Sequence, residues 1–471
     1  MYCVIKGHNF EHELQTIGQI FYKNQGFCRV DNIPVDGICI FSSFERSVLV
    51  CGLYVNGDMI VSSITEIIDT DSDSQELGFA IKDRMFKLLK DATGESTPWG
   101  SLTGIRPTKI MHKLLDDGLS EKESVRLMQD KYYVSSGKAE LLSEIVGVQR
   151  CLAEKRSDND VSLYIGIPFC PTRCHYCSFA AYSLDKYKKY TDDYLEALIN
   201  EMNSLKKDVE RLNIGTVYIG GGTPTSLNEN QLEKLLFHIE NTFCLDNADE
   251  YSVEAGRPDT ITESKLELLK KYKVSRISIN PQTLKHDTLK HIGRDHTPEQ
   301  FFTAFELARN AGFDFINVDL IAGLPGETVS DFKKTLEKMH PFSPENLTIH
   351  TLAVKRASKF KEDILDNGVI FKSNEAAEML NYAYEYAKSL NMNPYYLYRQ
   401  KNMVDSLENV GYAKKGFECI YNIHIMEETE TIIAFGAGAI TKYVYHKENR
   451  IERSANAKDV LEYIKRNSET A

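Results

Sequence analysis

From Leu163 onward, short apolar runs recur at regular intervals, each separated from the next by an amphipathic helical stretch. The runs are SLYIGI, TVYIG, EYSVEA, RISIN, FINVDLIAG and NLTIHTLAV, starting at Ser162, Thr216, Glu250, Arg276, Phe315 and Asn346. Stretches such as DDYLEALINEMNSLKKDVERL and NQLEKLLFHIENTF lie between them. Strands that alternate with helices predict βα units and a parallel sheet. Six units in about 190 residues are too few for a closed eight-stranded barrel of about 250, so the expected fold is α/β, an incomplete (β/α)6 barrel. Chemistry on such a barrel belongs at the C-terminal ends of its strands.

Two regions flank the barrel. Residues 1–155 read as a separate α+β domain whose role the sequence does not show. Within it, RSVLVCGLYVNGDMIVSSITEI alternates apolar and polar residues on both sides of Asn56-Gly57, a dipeptide suited to a tight hairpin. The polar segment EKRSDNDVS, 154–162, marks the boundary. The barrel takes residues 156–360. Residues 361–471 form a C-terminal α+β region that covers the substrate: a long helix around SNEAAEMLNYAYEYAKSLN, then strand-like CIYNIHIM and TIIAFGAGAITKYVY.

The 471 residues are 42% hydrophobic and 26% charged, which predicts folding throughout. A net charge of −12 argues against a nucleic-acid partner, which needs a basic face. Arg106, Lys109, His112 and Lys113 are more readily a solvated face than an anion site. The start MYCVIKGHNFEHELQ lacks a signal-peptide pattern, and no apolar run of about 18 residues occurs, so no membrane span and a cytoplasmic location are expected. Ten cysteines are too sparse for a disulfide scaffold. Cys3, Cys39 and Cys51, in apolar segments, read as small buried hydrophobes.

Three further cysteines are different. YIGIPFCPTRCHYCSF, 164–179, places Cys170, Cys174 and Cys177 directly after a strand. Structural zinc wants four ligands, usually as two separated pairs, and His175 beside Cys174 would crowd one turn. A thioredoxin-like pair needs a helix opening that is missing here. An iron–sulfur cluster takes thiolates by preference, and three of them on four irons leave one iron open to a non-protein ligand. An amino acid can chelate that iron through its nitrogen and carboxylate. S-adenosylmethionine carries both, and electron transfer into its sulfonium would release a 5′-deoxyadenosyl radical.

This loop resembles the CxxxCxxC signature of the radical S-adenosylmethionine enzymes, and more narrowly that of oxygen-independent coproporphyrinogen III oxidases. GGGTPT (220–225), SVEAGRPD (252–259), RISINPQT (276–283), HIGRDHT (291–297) and NVDLIAGLPGET (317–328) follow in that family's order. The N-terminal extension and the C-terminal pattern look most like the HemZ-type, coproporphyrinogen dehydrogenase branch. The resemblance implies a [4Fe-4S] cluster on Cys170, Cys174 and Cys177. It implies a first S-adenosylmethionine met by Tyr164, Gly222, Glu254 and Ile440, with Tyr164 and Glu254 in catalytic positions. A second molecule would meet Tyr176, Thr223, Pro224, Gln282, Arg294, Asp319 and Ala353. Read without the family, Glu254 and Asp319 are carboxylates in apolar strands, each needing a partner; for Asp319 the bland reading is an ion pair with Arg294 or another buried base.

The implied reaction is oxidative decarboxylation of coproporphyrinogen III to protoporphyrinogen IX, with an electron donor such as flavodoxin or ferredoxin. Substrate carboxylates need cations, and Lys355, Arg356, Arg399 and Lys401 are the expected contacts. Tyr395, Tyr396 and Tyr398 would cover the macrocycle. Two alternatives stand beside it: a ring-opening methyltransferase acting on haem, and a non-catalytic haem chaperone that retains the cluster. The chaperone branch carries HNxxYW where this chain has YNIHIM, 421–426, so the lone His424 reads as structural. Gly166 and Phe179 also depart from the oxidase signature, at positions that do not ligate the cluster.

Overall fold

The structure, a computed structural model, describes residues 1–22, 25–66, 74–104, 106–153, 159–177, 181–353, 375–400 and 403–468. It comprises two compact units, Met1–Ser143 and Glu144–Ala471.

The first unit holds a five-stranded mixed sheet in the order β2-β1-β3-β4-β5, built from β1 (Tyr2–Lys6), β2 (Cys28–Arg29), β3 (Ile38–Glu45), β4 (Val48–Val55) and β5 (Asp58–Glu66). Asn56 and Gly57 join β4 to β5 with φ of 52° and 86°, the left-handed values a tight hairpin requires. Helices Glu11–Phe21 and Ser74–Thr93 pack Leu14, Ile17, Ile81 and Met85 against Cys3 and Cys51. Cys3, Cys39 and Cys51 are buried as expected, and burial pushes the three thiols up to about 12, 11 and 11.

The second unit is organised by one eleven-stranded sheet. Its strands are β6 (Asp160–Ile167), β9 (Asn213–Gly221), β10 (Glu250–Gly256), β11 (Arg276–Ile279), β12 (Phe315–Ala322), β13 (Asn346–Thr351), β14 (Met392–Tyr398), β15 (Asn409–Lys414), β16 (Thr431–Phe435), β17 (Ile440–Tyr445) and β18 (Arg450–Ala455). The remaining two, β7 (Phe169–Cys170) and β8 (Tyr182–Ser183), pair with each other. The six expected barrel strands lie side by side and parallel, in chain order from β6 to β13. Along β11 to β13 buried apolar residues such as Ile277, Val318 and Ile349 alternate with polar ones such as Ser278, Asp319 and Thr348, which stand on the other face of the sheet. Capping boxes at Asn228, Thr297 and Thr328 start the helices after β9, β11 and β12.

The C-terminal residues extend this sheet at both edges. β16 runs parallel beside β6, with Tyr164 opposite Ala434, while β15 and β14 add antiparallel beside β13. CIYNIHIM is not a strand: Ile420–Glu427 is a helix. Tyr421, Ile423, His424 and Glu427 are all buried, and a helix that is apolar around its circumference has no period to set it apart from a strand. No helix among the described residues is long and apolar enough to cross a membrane.

Gly411 of β15 lies opposite Tyr396 of β14, and a Cβ there would run into the Tyr396 ring. Gly411→Ala is expected to cost about 1–3 kcal/mol in denaturant unfolding, as overpacking does. In a Tyr396→Ala background the same change should cost far less; an equal penalty in both would remove the contact as its cause.

Candidate active site

The strand that leads into the three cysteines ends at Ile167, and the glycine loop after β9 closes over it. Gly222 donates its N–H to Ile167 O at 2.8 Å, and Thr223 donates to Phe169 O at 2.8 Å. A Cβ on Gly222 would come within 2.6 Å of Phe169 O and 3.0 Å of Cys170 Sγ, so only glycine lets the backbone lie beside the thiol. Thr223 Oγ1 is 3.5 Å from Cys170 Sγ. Burial pushes the Cys170 thiol up to about 11, so holding it as a thiolate requires a neighbouring positive centre, which a metal provides.

Two motifs far along the chain hold the rest of the loop. His175 donates its backbone N–H to Ile292 O at 3.0 Å, and its Nδ1 lies 2.9 Å from His291 O. That nitrogen is thereby turned to the HIGRDHT segment. Thr172 Oγ1 donates to Gly293 O at 3.3 Å and accepts from Arg257 Nη1 at 2.6 Å. Arg257 is itself fixed by a two-point pair with Asp259 at 2.9 and 2.7 Å. Arg257 was not among the expected site residues, although GRPD directly follows the strand carboxylate.

All three loop thiols line a cavity of about 320 Å³ that runs along one face of the barrel strands, from Arg276 and Asn346 at strand starts to Gly256 and Thr351 at strand ends. Among the described residues no three His, Cys, Asp or Glu gather closely enough to hold a single metal ion. A multi-iron cluster takes its thiolate ligands on separate corners, and Cys170, Cys174 and Cys177 all face one cavity. The donor set therefore fits a [4Fe-4S] group.

Gly222, Thr223, Glu254 and Ala353 share the cavity wall with the cysteines, as do Tyr176, Gln282, Arg294 and Asp319. Gln282 is the most telling of these. Its φ is +67°, its backbone bridges Asp319 O and the Ile321 N–H at 3.0 Å each, and its buried Oε1 has no hydrogen-bond partner. A strained residue with an orphaned amide oxygen at a cavity wall marks a place where a ligand donor is received.

Glu254 accepts from Tyr218 Oη at 2.5 Å and from the Gly221 N–H at 3.2 Å, yet burial pushes its carboxyl up to about 7. Asp319 accepts from Asn317 Nδ2 at 2.7 Å and lies 3.5 Å from the part-buried His350 Nε2, so the base beside it is His350 and not Arg294. Arg294 donates to Tyr176 Oη at 3.2 Å and to Asn280 O. Tyr218, Asn280 and His350 went unsingled in the sequence, where their positions near strand ends were the available signal.

Other expected contacts are placed elsewhere. Tyr164 stacks on Tyr218 behind the wall, with centroids 6.4 Å apart, and Tyr218 stacks on Tyr421 at 4.4 Å. Pro224 starts a buried 3₁₀ turn, and Ile440 stands 47% exposed at the start of β17, outside the cavity lining. Arg399 is buried, donates to Ser406 O at 2.8 Å and is pushed down to about 10 by desolvation; it braces its own loop and does not line the cavity. Lys355, Arg356 and Lys401 lie outside the described residues. The arginines that do line the cavity are Arg257, Arg276 and Arg294. Tyr396 and Tyr398 also line it, with rings 7° from parallel, while Tyr395 is buried against Asn346. His424 is structural: Nδ1 lies 2.8 Å from Thr429 Oγ1 and Nε2 3.5 Å from Glu430.

Two predictions follow from this geometry. Arg257→Ala should lower the iron content of reconstituted protein at least about twofold, with Arg257→Lys intermediate, because the Thr172 anchor is lost; full iron in the alanine variant would exclude the anchor. Glu254 keeps its proton in the folded chain between its ordinary value and about 7, where the unfolded chain releases it, so stability falls as pH rises through that window. The stability difference between Glu254→Gln and the parent should therefore grow in favour of the variant from pH 4.5 to 8, by about 1–2 kcal/mol after screening. A difference that stays flat with pH would contradict the raised value.

Residues 164–339 match the Radical SAM superfamily. The oxygen-independent coproporphyrinogen-III oxidase-like protein HemZ of Bacillus subtilis is 39% identical over 96% of this chain and 92% of its own length. The heme chaperone HemW of the same organism is 34% identical over 59% of this chain and 70% of its own length. Among solved structures, the coproporphyrinogen III oxidase HemN of Escherichia coli matches with a TM-score of 0.55 and 21% identity, over 69% of this chain and 72% of that one, which shows the shared fold. The chain belongs to the oxygen-independent coproporphyrinogen III oxidase-like family of radical S-adenosylmethionine enzymes.

Proposed function

We propose that the protein catalyses the oxidative decarboxylation of coproporphyrinogen III to protoporphyrinogen IX, fed by a one-electron donor such as flavodoxin or ferredoxin; each of two propionates gives up one hydrogen atom to the adenosyl radical, CO2, and one electron to a separate acceptor. The observation that carries this reading is the convergence of three loop thiols and the orphaned Gln282 oxygen on one cavity. Cys170, Cys174 and Cys177 hold the [4Fe-4S] cluster, which together with S-adenosylmethionine supplies a 5′-deoxyadenosyl radical when bound. Glu254, poised near neutrality, receives a cationic group such as the cofactor's ammonium, which would draw its proton off. Gln282 Oε1 accepts a hydrogen bond from a second cofactor molecule. Asp319, steadied by Asn317 and His350, supplies that molecule with a carboxylate. Tyr396 and Tyr398 offer nearly parallel rings to a flat macrocycle.

Arg257 and Arg276 pair with Asp259 and Glu250; Lys355, Arg356 and Lys401 are the contacts proposed for the substrate's carboxylates. A second reading, a haem chaperone that keeps the cluster, is favoured by the relatives named heme chaperone, at 25–34% identity. Anaerobic incubation of reconstituted protein with S-adenosylmethionine, dithionite and coproporphyrinogen III separates the two. Vinyl products and 5′-deoxyadenosine are expected, and the Cys170→Ala/Cys174→Ala/Cys177→Ala variant should lose both along with its iron. Tight haem binding without vinyl products would favour the chaperone, and a methylated linear tetrapyrrole a ring-opening methyltransferase. Turnover that survives in the triple variant would sink every reading built on the cluster.

A further inference from the structure

We infer that the surface formed by Arg173 and the segment Tyr182–Tyr190 is the docking face for a small acidic electron-carrier protein of the flavodoxin class. The inference rests on the radical reading above, since only a chain that must be reduced one electron at a time needs such a face. From Cys170 to Tyr190 the sequence carries four cations, Arg173, Lys186, Lys188 and Lys189, against one carboxylate, Asp185, in a chain whose net charge is −12; Asp192 and Asp193 open the next helix, and Asp459 lies 3.5 Å from Tyr182 Oη. All four cations are exposed. Asp185 accepts from Ser183 Oγ at 3.3 Å. Among the described residues, Lys186, Lys188 and Lys189 meet no carboxylate at ion-pair distance. Among those residues nothing neutralises their charge.

The segment is tied directly to the thiol loop. β8 pairs with β7 so that Ser183 lies opposite Cys170 and Tyr182 opposite Phe169. Ser183 Oγ donates to Pro171 O at 3.1 Å, and the Tyr182 N–H donates to Pro168 O at 2.8 Å. The lysines follow at once, on a short helix Leu184–Tyr187 and the 3₁₀ turn Lys188–Tyr190. Half-buried rings brace them: Tyr182 and Tyr187 are 4.8 Å apart, Tyr187 and Tyr190 6.1 Å, and Lys189 Nζ lies 4.8 Å from the Tyr190 centroid.

None of residues 182–190 lines the cavity. A protein seated on them approaches Cys170 from outside, leaving the cavity to cofactor and substrate. An acidic carrier is repelled by the chain's net charge and attracted where cations concentrate, so charge favours this approach. One electron then leaves the reduced flavin, which is oxidised by one electron, and enters the group held by the three thiols. Small, salt-sensitive contacts are typical of such encounters.

The test uses reconstituted holoenzyme and a bacterial flavodoxin. Calorimetric titration should give a Kd that weakens between 50 and 300 mM salt, as added salt screens exposed charges. Lys186→Glu/Lys188→Glu/Lys189→Glu should weaken it by about tenfold or more at low salt, and the triple Lys→Gln variant by less. Dithionite-driven 5′-deoxyadenosine formation should stay at the parent rate in both variants. An unchanged Kd, or no measurable binding by the parent, overturns the docking face. A dithionite-driven rate that falls in step with binding also overturns it, since the lysines would then act on the site itself. If the parent forms no 5′-deoxyadenosine with dithionite, the radical reading fails instead, and the titration still decides the surface.

Discussion

The absence of a side chain at Gly222 is the constraint on which the site rests. The backbone after β9 must pass within contact of Phe169 O and Cys170 Sγ, and a single added carbon would occupy that space. Because this crossing is tight, two hydrogen bonds can tie the glycine loop to the strand that presents the first thiol. The second and third thiols then take their places from the opposite side, through Thr172 and His175 held by β10's Arg257 loop and by residues 291–293. The thiol loop thus has walls but little freedom, as a group that must stay put through repeated reduction requires.

The cavity wall shows a second kind of economy. Gln282 sits in a backbone conformation that costs a non-glycine residue about 1 kcal/mol or more, and its amide oxygen is left without a partner. Glu254 is held by two donors and still resists ionisation. Neither arrangement is what stability alone would select. On the proposed function, both would be resolved by a ligand carrying donors and positive charge, which is the chemical character of S-adenosylmethionine.

Much of this was legible in the residues, for identifiable reasons. β6 and β9 to β13 stand out because the strand residues in the core, such as Ile277, Val318 and Ile349, are apolar, while alternate residues such as Ser278, Asp319 and Thr348 line the cavity; the cysteine spacing follows the first of these strands. The helix Ile420–Glu427 was hidden because burial on all sides erases the period that betrays a helix. Arg399 read as a substrate contact because a cation in sequence carries no record of its burial; only the fold shows it turned to Ser406 O. Arg257 escaped notice for the converse reason, since its partner Thr172 lies 85 residues earlier in the chain.

The sheet's strand order has a bearing on how the molecule matures. β6, which leads into the thiols, is flanked by β9 and by β16, and β16 is translated some 268 residues later, the spacing between Ser162 and its partner Glu430. Until that late segment emerges, one whole edge of the strand has only water to satisfy its backbone. At the ordinary pace of synthesis, about 5–20 residues per second, this interval lasts many seconds. The strand that presents the thiols is therefore one of the last parts of the sheet to gain both of its neighbours.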